Sequence, residues 1–421
     1  MKQISQFFTL YWIIYFPTCI AYNDLSGFSS IDEVMTVILI TFTWHKRHSI
    51  VVNREPFQEF VQFLGVYVFY VLYSLVMAVN NRHAVFLDMV QWIRPFSVIY
   101  CTWILNPRFS NSQKKWMLYS MILTLFSWIL YHPETTNFSD ISEFPVLGQM
   151  AICTGMAYYL FNDGKTSTKR IALLLVLTGM LAPKFKFMGE VVCFIAVVFY
   201  LKRQLYFKSV KTIFFLSILL AIILTVTWTR FDGYFVSGMG DDNVARARMY
   251  KTSLFVLLDY LPLGPGMGTF GTNAAGVEYS PLFYKYNLQD VWGLNPEAAA
   301  AGFAADSFYP ALAEFGIVGV FLFCIFWKRR LVALNSIADL KYYRVALMSF
   351  FCLAIEQTAD SSFLSGKGMG YCMLLGLCLN ANRNNMKLQD EKATENDAML
   401  EIDEKLDKTV MIEDKNGEST D

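Results

Sequence analysis

Two arginines separated by one residue, Arg246 and Arg248, occupy the first turns of a helix predicted from about Val244 to Tyr260, with Asp242 or Asn243 as its N-cap. A cation there opposes the helix dipole, at a cost of about a few tenths of a kcal/mol unless an anion binds nearby. The planar guanidinium forks and the free backbone N–H groups at that end suit a phosphate or pyrophosphate. Pairing of the arginines with Asp241 and Asp242 is the alternative. Downstream, the passage from Pro262 to Phe270 carries Gly264, Gly266 and Gly268, which end the helix and permit close backbone approach. No strand precedes these glycines, so a dinucleotide-binding fold is excluded by context.

Three further groups carry charge at or inside apolar segments. Lys184 and Lys186 alternate with Phe185 and Phe187 in a turn that leads into an apolar run containing Glu190. The lysines are either headgroup anchors or face a cavity and hold an anionic lipid phosphate. Glu190 is expensive in lipid and is expected to pair with one of them or to face the cavity. Asp88 and Arg94 lie in another run, which Pro95 can kink, and Glu356 and Asp360 sit i, i+4 on one helix face. Buried ionisable groups in spans are functional candidates, with a structural interhelical pair as the alternative.

The elements that must position these groups are membrane helices. Of the 421 residues, 55% are hydrophobic and only 17% charged, and mean hydropathy is +0.37. That composition excludes an ordinary soluble protein. Apolar runs of roughly 17 to 21 residues recur, each long enough to cross a hydrocarbon core of about 30 Å. About twelve spans are expected, near 5 to 21, 31 to 44, 59 to 79, 85 to 105, 116 to 131, 146 to 161, 170 to 183, 188 to 202, 211 to 229, 308 to 327, 344 to 362 and 368 to 381. Lysines and arginines cluster in alternate loops, such as His45-Lys46-Arg47 and Lys328-Arg329-Arg330, while 22 to 30 and 131 to 145 contain none. By the positive-inside rule both termini are cytoplasmic.

The chain therefore divides into a polytopic domain over 1–385, with a large external loop at 230–307, and a charged, weakly structured tail over 386–421. The N-terminal apolar run is read as a first transmembrane helix, because no small-x-small cleavage site follows it. The eight cysteines lie mostly within apolar runs and form no CxxC pair, so they read as buried small side chains.

The order of the late motifs resembles the O-antigen polymerase and O-antigen ligase superfamily of bacterial envelope proteins. In that family an arginine stands about four residues before an aromatic, in a helix that leads into a Pro-x-x-Gly-x-Gly-x-Gly-x-Phe-like passage. Here Arg246 precedes Tyr250, and Pro262 to Phe270 follows; Asp306-Ser307 then precedes Glu314-Phe315-Gly316-Ile317-Val318-Gly319. The resemblance implies an all-α polytopic membrane protein of the C-type membrane glycosyltransferase kind, in the bacterial inner membrane with a periplasmic active site. It implies metal-independent, inverting transfer of a glycan from an undecaprenyl-pyrophosphate donor to a lipid-linked acceptor sugar, without a cofactor.

Under that resemblance Arg246 and Arg248 clamp the pyrophosphate. Lys186, with Lys184 or Arg230 assisting, holds the second substrate, and Gly264, Gly266 and Gly268 line the substrate site. Asp306 orients or deprotonates the attacking hydroxyl. Many ligases carry a histidine where this chain has Asp306, which puts a polymerase ahead of a ligase or a protein O-oligosaccharyltransferase. The expected partners are lipid-linked oligosaccharides, membrane lipids and a chain-length regulator, with no nucleic acid. A transporter of lipid-linked oligosaccharide is the alternative of another class, because Asp88, Arg94, Glu356 and Asp360 suit midplane charges.

Overall fold

The structure is a computed structural model that describes residues 2–24, 31–47, 53–131, 145–181, 184–206, 209–241, 243–305 and 307–381. These residues are overwhelmingly helical, and no strand occurs among them. The helices are α1 Lys2–Asp24, α2 Ile31–His45, α3 Arg54–Met77, α4 Arg82–Leu105, α5 Asn111–Tyr131, α6 Pro145–Phe161, α7 Thr166–Leu177, α8 Phe185–Ile195 and α9 Val210–Phe231. The outer segment adds α10 Ala245–Asp259 and three short helices, α11 Asn273–Val277, α12 Pro281–Lys285 and α13 Pro296–Ala300. The chain returns through α14 Phe308–Ala311 to α15 Gly316–Asn335, α16 Leu340–Ala359 and α17 Met369–Leu379.

A helix that is apolar all round belongs inside a bundle, and every residue of α17 is buried. It packs between α4 and α16. Gly376 lets α17 meet α4 closely, since a Cβ there would lie 2.6 Å from the carbonyl oxygen of Ile99. The pairs α1–α5, α6–α7 and α8–α9 complete the bundle, with α2 and α3 against α4. The outer segment has a core of its own, in which Met249 and Val256 of α10 meet Phe270, Leu282, Phe283, Leu288 and Leu294.

Among the described residues, three helical stretches, Arg54–Met77, Val210–Gly240 and Phe308–Asn335, are long and apolar enough to cross a membrane. The twelve expected intervals correspond to helices, but α2, α7, α8 and α17 have only 15, 12, 11 and 11 residues. Those lengths fall short of the roughly 20 residues a straight span needs. Three of them lengthen through irregular turns: a 3-10 turn at Thr178–Leu181 follows α7, a π turn at Ala196–Tyr200 follows α8, and a 3-10 turn at Gly366–Gly368 precedes α17.

Other boundaries also shift. The interval 308 to 327 is broken: α14 runs into a 3-10 turn at Leu312–Phe315, and α15 starts at Gly316, whose φ is +60°. The N-cap of α10 is Val244, with no side-chain capping bond, while Asp242 lies outside the described residues. Lys186 lies inside the first turn of α8, and Lys184 is its extended N-cap. Asp306 and the tail over 386–421 also lie outside the described residues. Seven described cysteines are free, and all but Cys324 are buried.

Candidate functional site

A cavity of about 990 Å³ opens among α8, α9, α10 and α16. At one end Lys184, Lys186, Arg230, Arg246 and Asp360 line it. The other end is apolar, with Leu216, Leu220, Ile223 and Leu224 of α9 facing Phe351 and Ile355 of α16. From Arg230 back to Leu216 the wall of α9 descends about 21 Å at 1.5 Å per residue. A charged mouth thus leads into a hydrocarbon-lined slot.

The mouth is built from four elements. Lys186 Nζ donates to Glu356 Oε2 at 2.6 Å and to Asp360 Oδ2 at 2.9 Å, and Lys367 Nζ stands 3.8 Å from the same Asp360 oxygen. Ser362 Oγ donates to Glu356 Oε2 at 3.0 Å and accepts from Gln149 Nε2 at 2.7 Å. Glu190 is fully buried beside Glu356. Its expected partner, Lys186, is engaged instead with the two carboxylates of α16. Arg246 stacks 4.1 Å above the Tyr234 ring, and its Nη2 donates to the carbonyl of Ala359 at 3.3 Å. Arg230 lies 5.6 Å over the Phe185 ring. Stacking on an aromatic face uses the plane of a guanidinium and not its hydrogen-bonding edge.

Arg248 is not part of this mouth. Two residues along an α-helix turn a side chain by about 200°, so Arg246 and Arg248 point to opposite sides of α10. Arg248 Nη2 reaches the carbonyl of Tyr286 at 3.5 Å, on the face where Lys285 Nζ donates to Asp259 Oδ2 at 2.7 Å. Tyr286 Oη also donates to that oxygen, at 2.9 Å. These bonds, that from Lys285 first, hold the Asp259 carboxyl below its usual range.

The glycine passage also lies elsewhere. Gly264, Gly266 and Gly268 are buried against protein and do not line the cavity. A Cβ on Gly264 would collide with the backbone of Glu314 and Gly316, and one on Gly268 would stand 2.7 Å from the backbone of Ala84. With φ at +81° and +73°, both positions favour glycine on conformational grounds as well. Carboxylates satisfy three of the loop's N–H groups. Glu314 Oε1 accepts from Thr269 N at 2.6 Å and Phe270 N at 2.7 Å, and Asp88 Oδ2 accepts from Gly268 N at 2.9 Å. Asp88 therefore serves the loop and is not paired with Arg94.

Arg94 forms a third group. Its Nη1 lies 2.5 Å from Asp32 Oδ2 and donates to the carbonyl of Leu364 at 3.0 Å, and its Nη2 donates to Glu33 Oε1 at 2.5 Å. It thereby fixes the turn that carries Lys367 toward the mouth. The sequence reading missed Asp32, Glu33, Gln149, Tyr234 and the capping role of Glu314. Two acidic residues opening an apolar run, and a lone glutamine inside another, were the available signals. Compared with known proteins, the sequence matches no family model and no curated relative.

Proposed function

We propose that the chain is a surface-polysaccharide polymerase, transferring a glycan from an undecaprenyl-pyrophosphate donor to a lipid-linked acceptor sugar at the periplasmic face of a bacterial inner membrane. The observation that carries this reading is the joining of Lys184, Arg230 and Arg246 to an apolar slot in one cavity. A polyprenyl pyrophosphate has that same polarity, with two phosphates at the end of a long hydrocarbon. The twelve-span topology with cytoplasmic termini belongs to this proposal, because it puts α10 and the mouth outside.

In the proposed reaction the acceptor hydroxyl oxygen attacks the anomeric carbon as the bond from that carbon to the pyrophosphate oxygen breaks. The leaving pyrophosphate carries away the electron pair, and the cations of the mouth neutralise its added charge. The hydroxyl proton passes to a carboxylate; Asp306 is the expected acceptor, and Asp360 lies on the cavity wall. A single displacement inverts the anomeric centre and needs no enzymatic nucleophile.

Arg246→Ala and Arg246→Lys test the assignment in a strain whose surface polysaccharide depends on this protein. Loss of one such preorganised cation is expected to lower the rate about 100-fold or more, leaving single repeat units in place of long chains. Undiminished long-chain polymer from both variants sinks the pyrophosphate site.

A further inference from the structure

The outer face of α10 carries a stripe that a water-exposed loop has no reason to keep. Leu254, Phe255, Leu258 and Leu261 are each between 56% and 66% exposed, whereas Val256 on the other side is fully buried in the outer core. Positions 254 and 258 stand i, i+4 on one face of α10, and Leu261 follows in the turn just past its end at Asp259. Three large apolar side chains on the helix and a fourth just past its end mark a surface that meets something other than water.

The depth of this stripe follows from how α10 is tied to α15. At about 1.5 Å per residue, the 20 residues of α15 rise about 30 Å, the thickness of a hydrocarbon core. Gly316 therefore stands at the outer hydrocarbon edge, or below it if Lys328 and Arg329 mark the inner one. The passage after α10 is stitched to that level: Val318 N donates to the carbonyl of Pro262 at 3.2 Å, and Gly266 N to that of Glu314 at 3.0 Å. Tyr73 Oη, near the end of α3, donates to the carbonyl of Gly264 at 2.8 Å. On those same two membrane-capable helices, Leu72 and Val76 of α3 and Ile317 and Phe321 of α15 are exposed apolar residues.

We infer that α10 lies in the outer leaflet as an interfacial helix, with Leu254, Phe255, Leu258 and Leu261 in acyl chains continuous with the lipid around α3 and α15. Its polar edge agrees, because the exposed Asp259–Lys285 pair stands beside the stripe at the level where headgroups and water begin. Arg246 and Tyr250 turn from the same helix into the cavity. The inference needs only the fold and stands whether or not the chain transfers glycans. The irregular backbone of the glycine passage fits that depth as well: unwound chain survives near hydrocarbon only where protein covers it, and Gly264 to Phe270 is buried throughout.

Nitroxide labels in nanodisc-reconstituted full-length protein test this placement. Leu254→Cys and Leu258→Cys would be made in a Cys324→Ser background, with Leu72→Cys as the lipid reference and Asp241→Cys as the water reference, each corrected for the signal of that background alone. The expected result is a ratio of oxygen to nickel-chelate accessibility at 254 and 258 severalfold above that at 241 and close to that at 72. A ratio like that at 241 overturns the inference in favour of a water-facing stripe. Protection from both reagents overturns it in favour of a protein partner or a second copy of this chain.

Discussion

Lys184 and Lys186 on one side of the cavity, and Arg246 and Arg248 on the other, are both cation pairs separated by one residue. The lysines both line the cavity, while of the arginines only Arg246 does. The difference lies in the backbone. Lys184 is an extended N-cap outside α8 and Lys186 lies within its first turn, so the two side chains are not held to the helical rotation. Arg246 and Arg248 both lie inside α10 and diverge by about 200°. The same sequence spacing gives convergence across a helix start and divergence once both residues lie inside the helix.

The largest effect that would break this comparison concerns the lysines. Lys186 holds two carboxylates, one of them the buried Glu356, so Lys186→Met is expected to lower stability by about 3–5 kcal/mol, the scale for stranding a buried charge. Lys184→Ala is expected to cost no more than about 0.5 kcal/mol, like a surface change. Denaturant midpoints of the purified proteins measure both, and equal losses would erase the distinction between cap and helix. For the arginines, under the proposed polymerase activity, Arg246→Ala is expected to reduce polymer formation about 100-fold or more. Arg248→Ala should change it about twofold at most, the scale of a surface change. Equal loss from the two, at normal protein abundance, would return Arg248 to the site.

The smallest effect concerns the outer face of α10. Asp259 has a depressed carboxyl pKa because Lys285 and Tyr286 donate to it. Its contribution to stability is therefore fully present above the ordinary aspartate value of about 3.9 and is lost as pH falls through the lower folded value. Wild type and Asp259→Asn should thus differ slightly in unfolding midpoint at neutral pH and converge in acid. The cavity mouth, on the other face, should register no change from this substitution.

The helical class was legible from composition and the recurring apolar runs, whereas the spacing of Arg246 and Tyr250 stood out only through the family resemblance. An arginine four residues before an aromatic needs only helical periodicity to bring both into one cavity. The lysine turn and the i, i+4 acidic pair were readable singly. Their union through Lys186 required the packing of α8 on α16, which no local pattern encodes. The glycine passage was misleading for a related reason. Its composition says that backbone comes close to something, and only the long-range approach of Glu314 and Ala84 shows that the something is protein. Arg94 likewise carried a charge signal without naming its partners, because Asp32 and Glu33 are some sixty residues away.

Gly316 bears on how a mutational scan of this chain would read. Its left-handed backbone breaks the return helix so that Glu314 can reach the N–H groups of Thr269 and Phe270, and a methyl group at Gly264 or Gly316 would collide with the other's backbone. Substitutions along this seam should lower the abundance of the protein and, under the proposed polymerase activity, its product at the cell surface. A screen scored by polysaccharide alone would rank Gly264, Gly268 and Gly316 beside Arg246 and draw the site too large. Scored by abundance too, the glycines and Lys186 should separate as folding positions, and Arg230 and Arg246 should stand out by their silence on protein level.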